Sequence, residues 1–142
     1  MTELAKKPMY SPGQVAACTL LAGPLAGAHL LWSNFLTLDQ PKRAKITSIV
    51  AVSIMALLLV FAFATSSKNH SGLLIGVVLA AGARQVAEMY QLKKDAIIDS
   101  AEYSLQSNWK VFGIGLAWLA LTILLVLFIS FILTVAGVDF PE

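Results

Sequence analysis

The chain predicts an all-α fold: a transmembrane helical bundle of four helices, the first kinked at Gly23-Pro24. Three observations carry this reading. Long stretches hold no Asp, Glu, Lys or Arg, namely 28 residues from Val111 to Val138, 24 from Val15 to Leu38 and 19 from Ile46 to Ala64. A hydrocarbon core about 30 Å thick is crossed by roughly 20 apolar residues of helix. Composition agrees, with 58% hydrophobic and 13% charged residues and a mean hydropathy of +0.77, against roughly 25% charged in an average soluble domain. The 142 residues leave room for one membrane domain and no second one. A net charge of +2 is too small to suggest nucleic acid, and the charges flank the apolar stretches, where they orient the chain.

The elements follow in order. Residues 1–10 are a short polar tail. Lys6 and Lys7 before an apolar run, with Ala26-Gly27-Ala28 beyond it, resemble a signal peptide. Gly23-Pro24 interrupts that run, however, and hydrophobicity continues through Leu30, Leu31, Trp32, Phe35 and Leu36, so the segment is expected to be retained. Ser11-Pro12-Gly13-Gln14 reads as a helix start: Ser11 caps, Pro12 suits the first position, and Gln14 completes a capping box. The first span is expected over about 14–38. Pro24 cannot donate to the carbonyl of Leu20, which predicts a kink, and Gly23 and Gly27 form a GxxxG face for close packing. Cys18 reads as a buried small hydrophobe.

Asp39-Gln40-Pro41 ends the first helix, and the second span covers about 46–65, with Thr47, Ser48 and Ser53 expected to bond the preceding turn. Residues 66–72 are rich in turn formers. The third span, 72–92, is uncharged only as far as Ala83, yet no proline stops it. Gly72, Gly76, Ala80, Arg84 and Glu88 recur every four residues along one winding face, with small residues forming a packing seam and an i,i+4 ion pair at its end. Residues 93–108 mix charges and predict a helical extension or surface helix on the cytoplasmic side. The fourth span, 110–137, follows Trp109 and Lys110, residues suited to the headgroup zone. Its uncharged run would measure roughly 42 Å, which requires tilt or protrusion.

Counting Lys and Arg orients the chain. Four crossings with both termini outside place seven basic residues inside and three outside (Lys6, Lys7 and Lys68). A first segment that dips in and returns at its Gly-Pro break gives nine against one. The length of that segment, sufficient to span, makes four crossings the expected topology.

No HExxH, phosphate-cradling glycine loop, CxxC or serine elbow is present in the sequence. His29 and His70 lack ligand partners at metal spacing, so no metal, cofactor or catalytic residue is expected, and the chain reads as a non-enzyme. Arg84 and Glu88 can neutralise one another at a membrane boundary, with Arg84 snorkelling to headgroups. Alternatively they form a polar path with Gln85, His29 and Asn34. Taken singly, His29 and Asn34 read as residues making hydrogen bonds within the bundle.

Tyr10-Ser11-Pro12-Gly13-Gln14, then Leu21 to Gly27 (LAGPLAG), then Asn34 resembles the opening of small, uncharacterised multi-pass proteins of bacterial inner membranes. Those carry an aromatic-S-P-x-Q start, a G-G-P-L-A turn and an Asn in the first span; here Ala22 stands in place of one of the two glycines. Ser107-Asn108-Trp109-Lys110 and Phe112 to Leu116 are similar to the start of their last span. The resemblance implies a bacterial inner-membrane address and no activity. The expected function is helix–helix association with itself or a membrane-protein partner within the lipid bilayer, as an accessory or immunity-type factor, using the Gly23/Gly27 and Gly72/Gly76/Ala80 faces. The competing expectation is a small oligomeric transporter or channel using Arg84, Glu88 and His29.

Overall fold

The capping box at Ser11 forms. In the computed structural model, which describes residues 6–64 and 72–137, Ser11 Oγ accepts from the Gln14 N–H at 3.3 Å and the Ser11 N–H donates to Gln14 Oε1 at 2.9 Å. Helix α1 (Pro12–Ala22) starts there with proline in its first turn.

The first apolar stretch is not one kinked helix over 14–38. Helix α1 stops at Ala22 and α2 (Pro24–Thr37) begins two residues later, with Gly23 as the only residue between them. Gly23 sits at φ 84°, ψ −174°, a region essentially closed to residues with a Cβ. Proline alone bends a helix; a proline preceded by such a glycine reverses it. The two helices fold back as a hairpin whose ends meet: the backbone of Tyr10, ahead of α1, hydrogen-bonds with the side chain of Asn34, near the end of α2. At 1.5 Å per residue the arms are about 16 and 21 Å long, and neither alone crosses a core about 30 Å thick.

Close approach near the tip depends on Gly27. A Cβ there would overlap Thr19 Oγ1 and come within 3.0 Å of Thr19 Cβ, and the Thr19 hydroxyl is already committed to the Val15 carbonyl at 2.8 Å. Gly27→Ala is therefore expected to cost about 1–3 kcal/mol as an overpacked contact. Adding Thr19→Ala should recover part of that loss. Thermal unfolding in mild detergent checks both, and a double variant no more stable than Gly27→Ala would show that the hairpin does not close here.

Helix α2 ends with Asp39 in a left-handed conformation (φ 56°) and the Gln40 N–H bonded to the Phe35 carbonyl, a helix stop that Asp tolerates. Pro41 then opens α3 (Pro41–Ala64), five residues ahead of the expected start. Ser48 and Ser53 bond the carbonyls of Ala44 and Ile49, one turn back. Helix α4 (Gly72–Tyr90) ends two residues short of the expected span. The short α5 (Lys94–Ile98) follows, and α6 (Asn108–Val135) is the longest helix. Helices α3, α4 and α6 are long and apolar enough to cross a membrane. With the hairpin in the place of a first span, three such helices stand among the described residues where four were expected. The expected loop at 66–72 lies, but for Gly72, outside the described residues.

The hairpin is the hub. Helix α1 packs against α4 and α6, and α2 against α3, while the three long helices pack chiefly on the hairpin rather than on one another. The hydrophobic core accordingly comes mostly from the hairpin, with Val15, Cys18, Ala22, Ala26, Leu30 and Phe35 all buried, and Ala44, Ala87 and Val111 of the long helices against them.

Residues 93–108 do not form the single helix expected. Only α5 is helical, and Tyr103–Leu105 makes a strand, β2, that pairs in parallel with β1 (Lys7–Met9), Pro8 opposite Ser104. Two bonds extend the pairing: the Lys7 N–H donates to the Glu102 carbonyl, and the Gln106 N–H to that of Met9. The strand exists because a segment some ninety residues away supplies its backbone partners.

Candidate functional site

Side chains gather at the end of the bundle where the hairpin opens. Asn34 lies at its centre, 1% exposed. Its Oδ1 accepts from the Tyr10 N–H at 2.8 Å, and its Nδ2 donates to the Tyr10 carbonyl at 2.7 Å and to Gln91 Oε1 at 2.8 Å. Gln91 Nε2 donates in turn to the Leu31 carbonyl at 2.9 Å. One amide thus satisfies an irregular stretch of backbone ahead of α1 and ties α2 to the end of α4. Gln14 does the same on the other flank, its Nε2 donating to the Gln106 carbonyl and Asn108 Oδ1, both at 2.7 Å. Buried backbone groups outside helices need such partners.

Arg84 and Glu88 form the expected i,i+4 ion pair, 2.8 Å from Nε to Oε1. They line a cleft of about 800 Å³, together with the first turns of α1 and α6 and residues Lys93, Lys94 and Asp95. Its other wall is apolar, with Ala17, Cys18, Leu21, Val111 and Phe112. A second groove, between α2, α3 and α4, has no charged residue in its lining.

The residues of the alternative polar path do not all line one cleft. His29 stacks beside Trp32 of its own helix, centroids 6.2 Å apart, and lies 6.0 Å from Trp118 of α6. Neither His29, Asn34 nor Gln85 lines the cleft that holds Arg84 and Glu88. Among the described residues no three His, Cys, Asp or Glu side chains converge as a metal site.

Several of the small residues pack within the chain. Gly23 makes the reversal with Pro24, and Gly27 meets Thr19. On α4, Ala80 is buried and Gly76 faces Leu20 of α1, 3.7 Å from where a Cβ would stand, while a Cβ at Gly72 would meet no described residue within 4 Å.

Other contacts cross the same end. Lys7 Nζ pairs with Glu102 Oε1 at 3.1 Å, and this carboxylate raises the lysine pKa. The Arg43 guanidinium lies over the Tyr90 ring, 4.9 Å from its centroid, joining the start of α3 to the end of α4. Burial raises the Tyr10 phenol pKa. Sequence reasoning missed Tyr10, Gln91, Gln106 and Asn108 as partners. One signal was present: amides cluster at the ends of apolar stretches, where irregular backbone needs donors and acceptors. Protein-family models, curated proteins and solved structures yield no match to this chain.

Proposed function

We propose that this chain is a non-enzymatic, multi-pass protein of the bacterial inner membrane that works by associating with a second copy or another membrane protein, as an accessory or immunity-type factor. The hairpin dips in from the cytoplasmic face and returns, α3, α4 and α6 cross, and nine of the ten basic residues then lie inside with Lys68 alone outside.

The observation that carries the reading is that the hub is shorter than the helices around it. No described residue of α3 beyond Met55, of α4 before Ala80, or of α6 beyond Gly115 is buried. The last twenty residues of α6 alone run for about 30 Å. Membrane helices gain stability from close packing with other helices, and among the described residues this half has no central element to supply it. The association surface is thus this unfilled half, with Leu124, Leu127, Phe128 and Phe131 prominent on it; Gly27 and Gly76 are already used inside the chain. The transporter reading retains the cleft with Arg84 and Glu88 but not His29, which sits among indoles.

A photo-crosslinking residue at Phe128 or Phe131 tests this in native membranes. The expected result is a discrete adduct at the mass of a dimer or of a defined heteromeric pair. Crosslinks to lipid alone, with the chain running as a monomer, would overturn the proposal.

A further inference from the structure

The cleft beside Arg84 has a chemistry that the association reading does not use. Its mouth carries three cations, Arg84, Lys93 and Lys94, and two carboxylates, Glu88 and Asp95. Arg84 is engaged by Glu88. The side chains of Lys93 and Lys94 are exposed and make no ion pair or hydrogen bond with any described residue. The first turns of α1 and α6 open on the same mouth through Ser11, Gly13 and Asn108, and helix N-termini add positive potential there. With Arg84 and Glu88 paired, Lys93 and Lys94 against Asp95 leave one net positive charge in a partly enclosed space, which an anion would offset.

The rest of the cleft calls for hydrocarbon. Helices α4 and α6 both pack on α1, and the cleft is the slot between them. Its inner wall is apolar, and Leu21 and Phe112 on it are 42% and 47% exposed. Leu116, one turn beyond Phe112 on α6, is 45% exposed and continues the same apolar surface toward the middle of the helix. A cavity of about 800 Å³ is within the usual range for a small-molecule site. A free anion would leave this wall bare, whereas an acyl chain would cover it. Basic pockets between spanning helices are a recognised setting for anionic headgroups.

We propose that this cleft is a binding site for an anionic phospholipid of the adjoining leaflet. Lys93 and Lys94 hold its phosphate, Glu88 and Asp95 face the polar remainder of the headgroup, and an acyl chain lies in the slot over Ala17, Leu21 and Phe112. The site is distinct from the association surface at Leu124, Leu127, Phe128 and Phe131, which lies further along α6 than Leu116.

The test is native mass spectrometry of the full chain released from nanodiscs with equal parts of phosphatidylglycerol and phosphatidylethanolamine. The wild type is expected to retain one phosphatidylglycerol in preference to phosphatidylethanolamine. Lys93→Gln and Lys94→Gln should each lower that preference roughly fivefold, since a surface lysine contributes about 1 kcal/mol toward anionic lipid. Both side chains lack partners among the described residues, so the variants are expected to fold; an unchanged thermal midpoint checks this. Lys42→Gln with Lys45→Gln, on α3 and outside the cleft lining, should leave the preference intact. Three results would overturn the proposal: no preference in the wild type, an equal loss from the α3 variant, which would mean diffuse attraction to a basic surface, or displacement of the lipid by millimolar inorganic phosphate, which would mean a free-anion site.

Discussion

Gly23→Ala is expected to be among the most damaging single substitutions in the chain. The glycine at φ 84°, ψ −174° occupies backbone space where a Cβ costs about 1–3 kcal/mol or more. The strain falls on the one residue that joins α1 to α2. Every long helix packs on this hairpin, so loss of the reversal removes the hub and not merely a turn. A fall of several degrees in the thermal midpoint should follow, read in mild detergent from the fluorescence of Trp32 and Trp118.

The hairpin also makes a topological prediction. With Cys18, the only cysteine, replaced by alanine, Lys6→Cys and Lys42→Cys should react with a membrane-impermeant maleimide from the same side. The two positions flank the hairpin, whose ends are joined through Tyr10 and Asn34. Labelling from opposite sides would mean that the segment crosses as a single span, and the hairpin would then be wrong for the protein in its membrane.

Asn34→Ala should destabilise the chain by about 3 kcal/mol or more, because it leaves the N–H and carbonyl of Tyr10 without their partner and each orphaned buried polar group costs about 1–3 kcal/mol. Tyr10 is only 4% exposed, so water does not replace the lost amide. Asn34→Asp separates the polar role from the steric one. The aspartate keeps an acceptor for the Tyr10 N–H, but sets an oxygen against the Tyr10 carbonyl and Gln91 Oε1, where Asn34 donates. It should be nearly as damaging as alanine despite its matching shape. Thermal unfolding of the wild type and the two variants decides: an Asn34→Asp protein as stable as the wild type would show that the amide nitrogen contributes nothing.

Sequence and structure agree where the physics is local. The Ser11–Gln14 box, the stop at Asp39-Gln40-Pro41, the serine hydroxyls of α3 and the Arg84–Glu88 pair each depend on residues within five positions of one another. Helical propensity and hydropathy likewise sum over short windows, which is why α3, α4 and α6 fall on the long apolar stretches.

They part at Gly23-Pro24. The spacing of a GxxxG face and a proline is the same in a kinked helix and in a hairpin; the difference is the sign of one φ angle, decided by what the returning arm meets. Here it meets Thr19 at Gly27 and Tyr10 at Asn34. The basic-residue count, nine against one for a returning segment, carries the hint, because the cost of moving charge across a bilayer reports on the path of the whole chain.

The sequence by itself therefore determined which helices are long and apolar enough to cross a membrane, because length and hydropathy follow from composition along the chain. Tertiary structure alone decided that the first stretch turns back, that residues 7–9 find 103–105, and that a basic cleft with an apolar wall opens between α4 and α6. Each of these requires partners distant in sequence, and no local preference specifies which partner a glycine, a strand edge or an unpaired lysine will meet.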